Sequence, residues 1–159
     1  MYFSSIKNIT YNDQIVKDIF TRVRPADAGI INYTDLMKYH IKDYDTPETI
    51  AYELYGDSEL HWVIILINDI QNIHEDWPLG QMDFNIALLK KYPTGSQMTH
   101  HYEDEDGDIW DYGHSGSVQL YPISNETYEE RINNSKMNIN ILNPAYVDAF
   151  IEKYTDLVS

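Results

Sequence analysis

Between Thr46 and Ile67 the alternation of apolar and polar positions is sharpest. Ile50, Ala51, Leu54 and Tyr55 fall on one face of a helix that Thr46-Pro47-Glu48 opens. A hydroxyl caps free amides, proline suits the first turn and an acid favours the positive helix end. Gly56 predicts the stop, and Asp57 or Ser58 caps a second helix whose residues Leu60 to Ile67 are almost entirely apolar. That second helix is the expected centre of the core. Phe84, Ala87, Leu88 and Tyr92 predict a third helix between the turn Trp77-Pro78-Leu79-Gly80 and the breakers Pro93 and Gly95. An amphipathic stretch runs from Asn125 to Asn134. A last helix opens at Asn143-Pro144 and carries Tyr146, Val147, Phe150, Ile151, Tyr154 and Leu157 as one apolar stripe.

Other segments read as extended. Leu36 to Tyr44 is short, aromatic and partly alternating, which predicts a strand. Met98 to Tyr102 and Ile109 to Tyr112 flank the acidic tip Glu103 to Asp108, where Gly107 suits a tight turn, so a hairpin is predicted. Val118 to Tyr121 adds a strand, and Met137, Ile139 and Ile141 alternate. Near the start, Ile15, Val16, Ile19 and Phe20 recur at helical spacing, which predicts a short helix from Asp13 to Arg24-Pro25, followed by a loop over residues 25–32.

Composition narrows the function classes. With 43% of its 159 residues apolar, the chain can build a core, and one domain is the default. Its 26 acidic against 11 basic side chains give a net charge of -15, which repels phosphate backbones and anionic headgroups. Nucleic acid and bare membrane are therefore excluded as partners. The greasiest run, Trp62 to Ile67, is far below the ~18 residues of a span. No export signal is recognised, cysteine is absent, and an intracellular origin is expected.

Each candidate for chemistry has a simpler explanation. Gly113-His114-Ser115-Gly116-Ser117 misses the last glycine of a nucleophile elbow and reads as a loop. His100 and His101, as neighbours on a strand, point to opposite faces and cannot share an ion, with His114 the only helper across the hairpin. Asp104, Asp106 and Asp108 are out of register with a calcium loop. Glu129-Glu130 and Glu103 with Asp111 read as a solvated charged face. No enzyme, metal or cofactor is expected. The surplus of 14 tyrosines and 3 tryptophans instead fits protein interfaces, and hence an assembly component.

The run Thr46-Pro47-Glu48-Thr49-Ile50-Ala51-Tyr52-Glu53-Leu54-Tyr55-Gly56-Asp57, then Trp62-Val63-Ile64 through Asn68-Asp69, then Asp76-Trp77-Pro78-Leu79, closely resembles the baseplate wedge protein 53 family of T-even-like contractile-tailed bacteriophages. The likeness extends upstream to Phe3, Tyr11 and Asp18 to Arg22, and downstream to Lys91-Tyr92 and the tail from Tyr128-Glu129 to Leu142. The centre also resembles a LysM module, a strand-helix-helix-strand unit, with Tyr39 to Tyr44 as its first strand and Trp62 and Asn68 at its tryptophan and asparagine. Where its second strand would follow, a helical pattern stands instead.

The resemblance implies an α+β fold with a LysM-like core: an N-terminal arm over 1–34, the helical core over 35–95, an acidic β-hairpin region over 96–123 and a C-terminal helix-strand-helix segment over 124–159. Ile50, Leu54, Trp62, Ile65, Leu66, Asn68 and Trp77 are the expected core. Tyr2, Phe3, Tyr11, Arg22, Trp110, Tyr112, Tyr146, Phe150 and Tyr154 are the interface candidates. The implied function is structural, in six copies per baseplate, bridging neighbouring wedge proteins near the hub and sheath-initiator end. Such a subunit is assembled in the host cytoplasm and resides in the virion tail, without cofactors. The alternative is a LysM-type module that binds cell-wall glycan.

Overall fold

A computed structural model describes residues 7–18, 29–110 and 118–158. The fold mixes helices with three small sheets. The chain forms two compact units, one made of residues 1–76 with 138–159 and the other of 77–137.

The first unit begins with β1 (Asn8–Tyr11) and β2 (Gln14–Lys17), an antiparallel ribbon. This corrects the helix expected from Asp13. Asn12 and Asp13 both take positive φ, 50° and 58°, the conformation of a two-residue hairpin turn that these side chains tolerate. Ile19 and Phe20, which complete the helical pattern, lie outside the described residues, as does the first half of the loop at 25–32.

Next come β3 (Leu36–His40), α1 (Pro47–Tyr55), α2 (His61–Ile67) and a short α3 (Ile73–Asp76). The strand stops four residues short of Tyr44, which sits at φ 70° in the turn before α1. Thr46 caps α1 reciprocally: its hydroxyl accepts from the Thr49 amide at 3.2 Å, and the Thr49 hydroxyl accepts from the Thr46 amide at 2.8 Å. Gly56 ends the helix at φ 79°, where a β-carbon would be strained.

The partner of β3 is β7 (Asn138–Leu142), antiparallel from Leu36↔Leu142 to His40↔Asn138. Asn68, at the end of α2, locks this closure. Its amide nitrogen donates to the carbonyls of Ile64 and Asn140, and its oxygen accepts from the Asn140 amide, all at 2.8 Å. Tyr55 adds a bond from its hydroxyl to the Leu142 carbonyl at 3.2 Å. The last helix, α6 (Val147–Val158), inserts Val147, Phe150, Tyr154 and Val158 into a core shared with Val63 and Leu142. Trp62 stacks on Phe150 at 6.0 Å and tilts against Tyr154 at 5.6 Å between ring centroids.

The second unit contains α4 (Gln81–Lys91), the three-stranded sheet of β4 (Thr99–Glu103), β5 (Ile109–Trp110) and β6 (Tyr121–Ser124), and α5 (Asn125–Ser135). β4 lies between the other two, antiparallel to both. The strand expected at Val118 to Tyr121 is realised three residues later. Few large side chains are buried among its described residues: Trp77, Leu88 and Ile123. The buried Asn133 acts as a backbone substitute, accepting from the Leu79 amide at 2.7 Å and donating to its carbonyl at 2.9 Å. Asn125 similarly donates to the Gly95 carbonyl at 2.7 Å.

Candidate assembly surface

Helix α4 carries apolar side chains on two faces. Leu88 is buried and Phe84 and Tyr92 are half-buried, which uses the face that its sequence pattern announces. Met82, Ile86 and Leu89, at i, i+4 and i+7, remain 70%, 54% and 62% exposed. Leu79, just before the helix, extends that row with the three-four-three spacing of a helix-packing seam. The row could have been found in the sequence only by noticing that the apolar positions of 81–91 exceed what one stripe accounts for.

The β1–β2 ribbon is a second such surface. Ile9 is its one half-buried residue, and Tyr11 and Ile15 are 66% and 78% exposed. Isolated two-stranded ribbons are marginal in water, so one with apolar residues exposed suits an external partner. The Lys7 amide ties its base to the Val158 carbonyl at 2.8 Å.

The interface candidates scatter. Tyr2, Phe3, Arg22 and Tyr112 lie outside the described residues. Tyr11 is exposed on the ribbon and Tyr146 is exposed ahead of α6. Trp110 is half-buried, and its indole N–H donates to Asp104 Oδ2 at 2.8 Å. Phe150 and Tyr154, expected at an interface, are 3% and 1% exposed. Their stripe is satisfied by Trp62 within the first unit, so they are corrected to core residues. Among the expected core, Ile50 and Trp77 are buried, while Leu54, Trp62, Ile65, Leu66 and Asn68 are half-buried.

Three acidic groups of the second unit hold defined hydrogen bonds. Asp104 accepts from Trp110 and from the Asp106 and Asp108 amides at 3.0 and 2.9 Å, and these bonds hold its carboxyl below the usual range. Burial pushes Glu129 upward, but bonds from Lys91 Nζ at 2.7 Å and the Tyr92 hydroxyl at 2.9 Å outweigh it and leave the carboxyl lowered. Glu103 is lowered by the Arg131 guanidinium and then by His101. The Ser115 loop, His114 and Asp111 lie outside the described residues. His100 and His101 do not face apart as regular pleating requires: the register slips between Thr99 and His101, and their Nδ1 atoms stand 2.8 Å apart.

Comparison with known proteins identifies the lineage. The chain is 25% identical over 156 residues to the baseplate wedge protein gp53 of Enterobacteria phage T4, covering 84% of this chain and 79% of that protein. Residues 2–114, well over half the chain and including the run from Thr46 to Asp57, match the family described as base plate wedge protein 53. The chain belongs to that family.

Proposed function

We propose that this chain is a structural, non-enzymatic subunit of the baseplate wedge of a contractile-tailed phage. It resides in the virion tail and bridges neighbouring wedge proteins near the hub and sheath-initiator end as the baseplate assembles in the host cytoplasm, in six copies. Family membership supports the baseplate role. The observation that carries the bridging role is the second apolar face of α4, Met82, Ile86 and Leu89, which the second unit leaves exposed. The first unit is a LysM-like kernel on this reading. The support is its order of strand, helix, helix and strand, with β3 and β7 antiparallel and the second strand delayed until after residues 77–137.

The test is complementation of a phage lacking this gene with the Ile86→Asp/Leu89→Asp variant. The expected result is a soluble, folded chain that no longer enters virions. Normal incorporation of that variant overturns the bridging role of α4, and absence of the wild-type chain from virions overturns the whole reading.

A second reading, binding of cell-wall glycan, draws on the exposed Tyr44, ahead of α1, and the exposed Tyr52 within it. Retention on peptidoglycan that is lost in Tyr44→Ala, without virion incorporation, favours it instead.

A further inference from the structure

The histidine pair on β4 is arranged by its surroundings. The rings meet edge to face with centroids 5.1 Å apart, and the 2.8 Å contact joins Nδ1 to Nδ1. Such a contact needs one hydrogen between the nitrogens, because two bare lone pairs repel and so do two N–H groups. The neighbours decide which ring supplies it. His101 Nε2 lies 2.8 Å from Glu103 Oε1, and Arg131 Nη1 donates to both oxygens of that carboxylate at 2.7 and 2.8 Å. A carboxylate gripped in this way accepts, so in the neutral pair His101 carries its hydrogen on Nε2 and presents a bare Nδ1 to His100. The His100 ring lies flat on Tyr128, 3.9 Å between centroids and 11° between planes, which fixes its direction.

A histidine whose outer nitrogen is held by a carboxylate while the inner one faces a second imidazole has the outer-shell pattern of metal ligands. With metal–nitrogen bonds of about 2.0–2.1 Å, two nitrogens on one ion stand roughly 3.0–3.4 Å apart, a few tenths of an ångström from the present spacing. We propose that His100 Nδ1 and His101 Nδ1 together bind one late first-row divalent cation, zinc, nickel or copper, in the place of the shared hydrogen. As the metal binds, the hydrogen on His100 Nδ1 leaves that atom and His100 Nε2 becomes the protonated nitrogen, so neutral rings remain neutral. Glu103 and Arg131 are positioning residues. No group of three or more such ligands converges among the described residues, so water completes the coordination on the exposed His100 side. Paired imidazoles favour these metals over magnesium or calcium, and the chain's charge of -15 favours a cation in general.

Untagged full-length protein titrated with zinc chloride and with nickel chloride tests the site, followed by calorimetry and by nitrogen-15 spectra of the imidazoles. One equivalent is expected to bind, with the Nδ1 signals of His100 and His101 moving together. Binding should be lost in His100→Gln and in His101→Gln. Glu103→Gln keeps both ligands and should weaken binding by about 10-fold or more; far-UV circular dichroism checks that the variants fold. Equal binding by wild type and His101→Gln, or signals that move only at His40, His61, His74 or His114, overturns the site and leaves the pair as a shared-hydrogen contact.

Discussion

The two units solve the same problem by different means. In the first, buried apolar side chains drawn from both ends of the sequence supply the cohesion: Ile50, Val63 and Ile64 from the helical pair, Ile141 and Leu142 from β7, and Phe150 and Tyr154 from α6. In the second, fewer large side chains are buried, and side-chain bonds carry more of the connection: Asn133 to Leu79, Asn125 to Gly95, Glu129 to Lys91 and Tyr92, Gln97 to Glu126, and Glu103 to Arg131. Apolar burial carries no charge to screen or titrate, whereas carboxylate bonds depend on charge. The contrast teaches that the first unit can serve as a rigid body, while the second responds to its ionic surroundings.

The sharpest way to break this comparison is to open the aromatic core. Tyr154→Ala or Phe150→Ala should cost about 3–5 kcal/mol, read from chemical denaturation, with hydrogen exchange accelerating throughout the first unit. A loss below ~1 kcal/mol would show that α6 is not what closes this core.

Next in size are the two asparagine clamps. Asn68→Ala and Asn133→Ala each strand backbone groups and should cost about 1–3 kcal/mol. Hydrogen exchange should localise the first to β7 and the second to the segment around Leu79. If both accelerate exchange over the whole chain equally, the division into separately stabilised units fails.

The ionic strength test is smaller. Lys91 is well exposed in its pair with Glu129, so Lys91→Met should cost no more than ~1 kcal/mol and less still in high salt.

Opposite pH limits sharpen the comparison further. Glu103, Asp104 and Glu129 have lowered folded pKa values, so their contribution is full above the ordinary carboxylate range of about 4 and is lost as pH falls through the lowered values. Tyr55 in the first unit is raised by burial from 10 to about 12, so its contribution is full below about 10 and is lost as pH rises toward 12. Exchange in the second unit should therefore accelerate before that in the first as the pH falls. The reverse order would contradict the assignment of charge to one unit and burial to the other.

Legibility in the sequence followed how local each signal is. Thr46, Pro47 and Gly56 mark α1 because capping involves atoms three or four residues apart, and Asn143-Pro144 marks the start of the last helix for the same reason. The second strand of the ribbon, Gln14–Lys17, lies in a segment that reads as helix from Asp13, because Ile15, Val16, Ile19 and Phe20 fit that period. Tyr11 and Tyr146, named as interface candidates from the sequence, are exposed. The outer row of α4 does not stand out in the sequence, since Phe84, Leu88 and Tyr92 already satisfy one amphipathic stripe. The pairing of His100 with His101 is not legible in the sequence, because a slip in register against β6 is not written in β4 itself.

Amino-acid order alone determined the capped helices, the acidic balance, the lack of cysteine chemistry and the family, all of which rest on residue identity or short-range geometry. Tertiary structure decided that β3 closes on β7 nearly a hundred residues later, that Phe150 and Tyr154 face inward, and that Met82, Ile86 and Leu89 face out. These are outcomes of which surfaces find each other first choice among many, a competition between distant segments that no local pattern encodes.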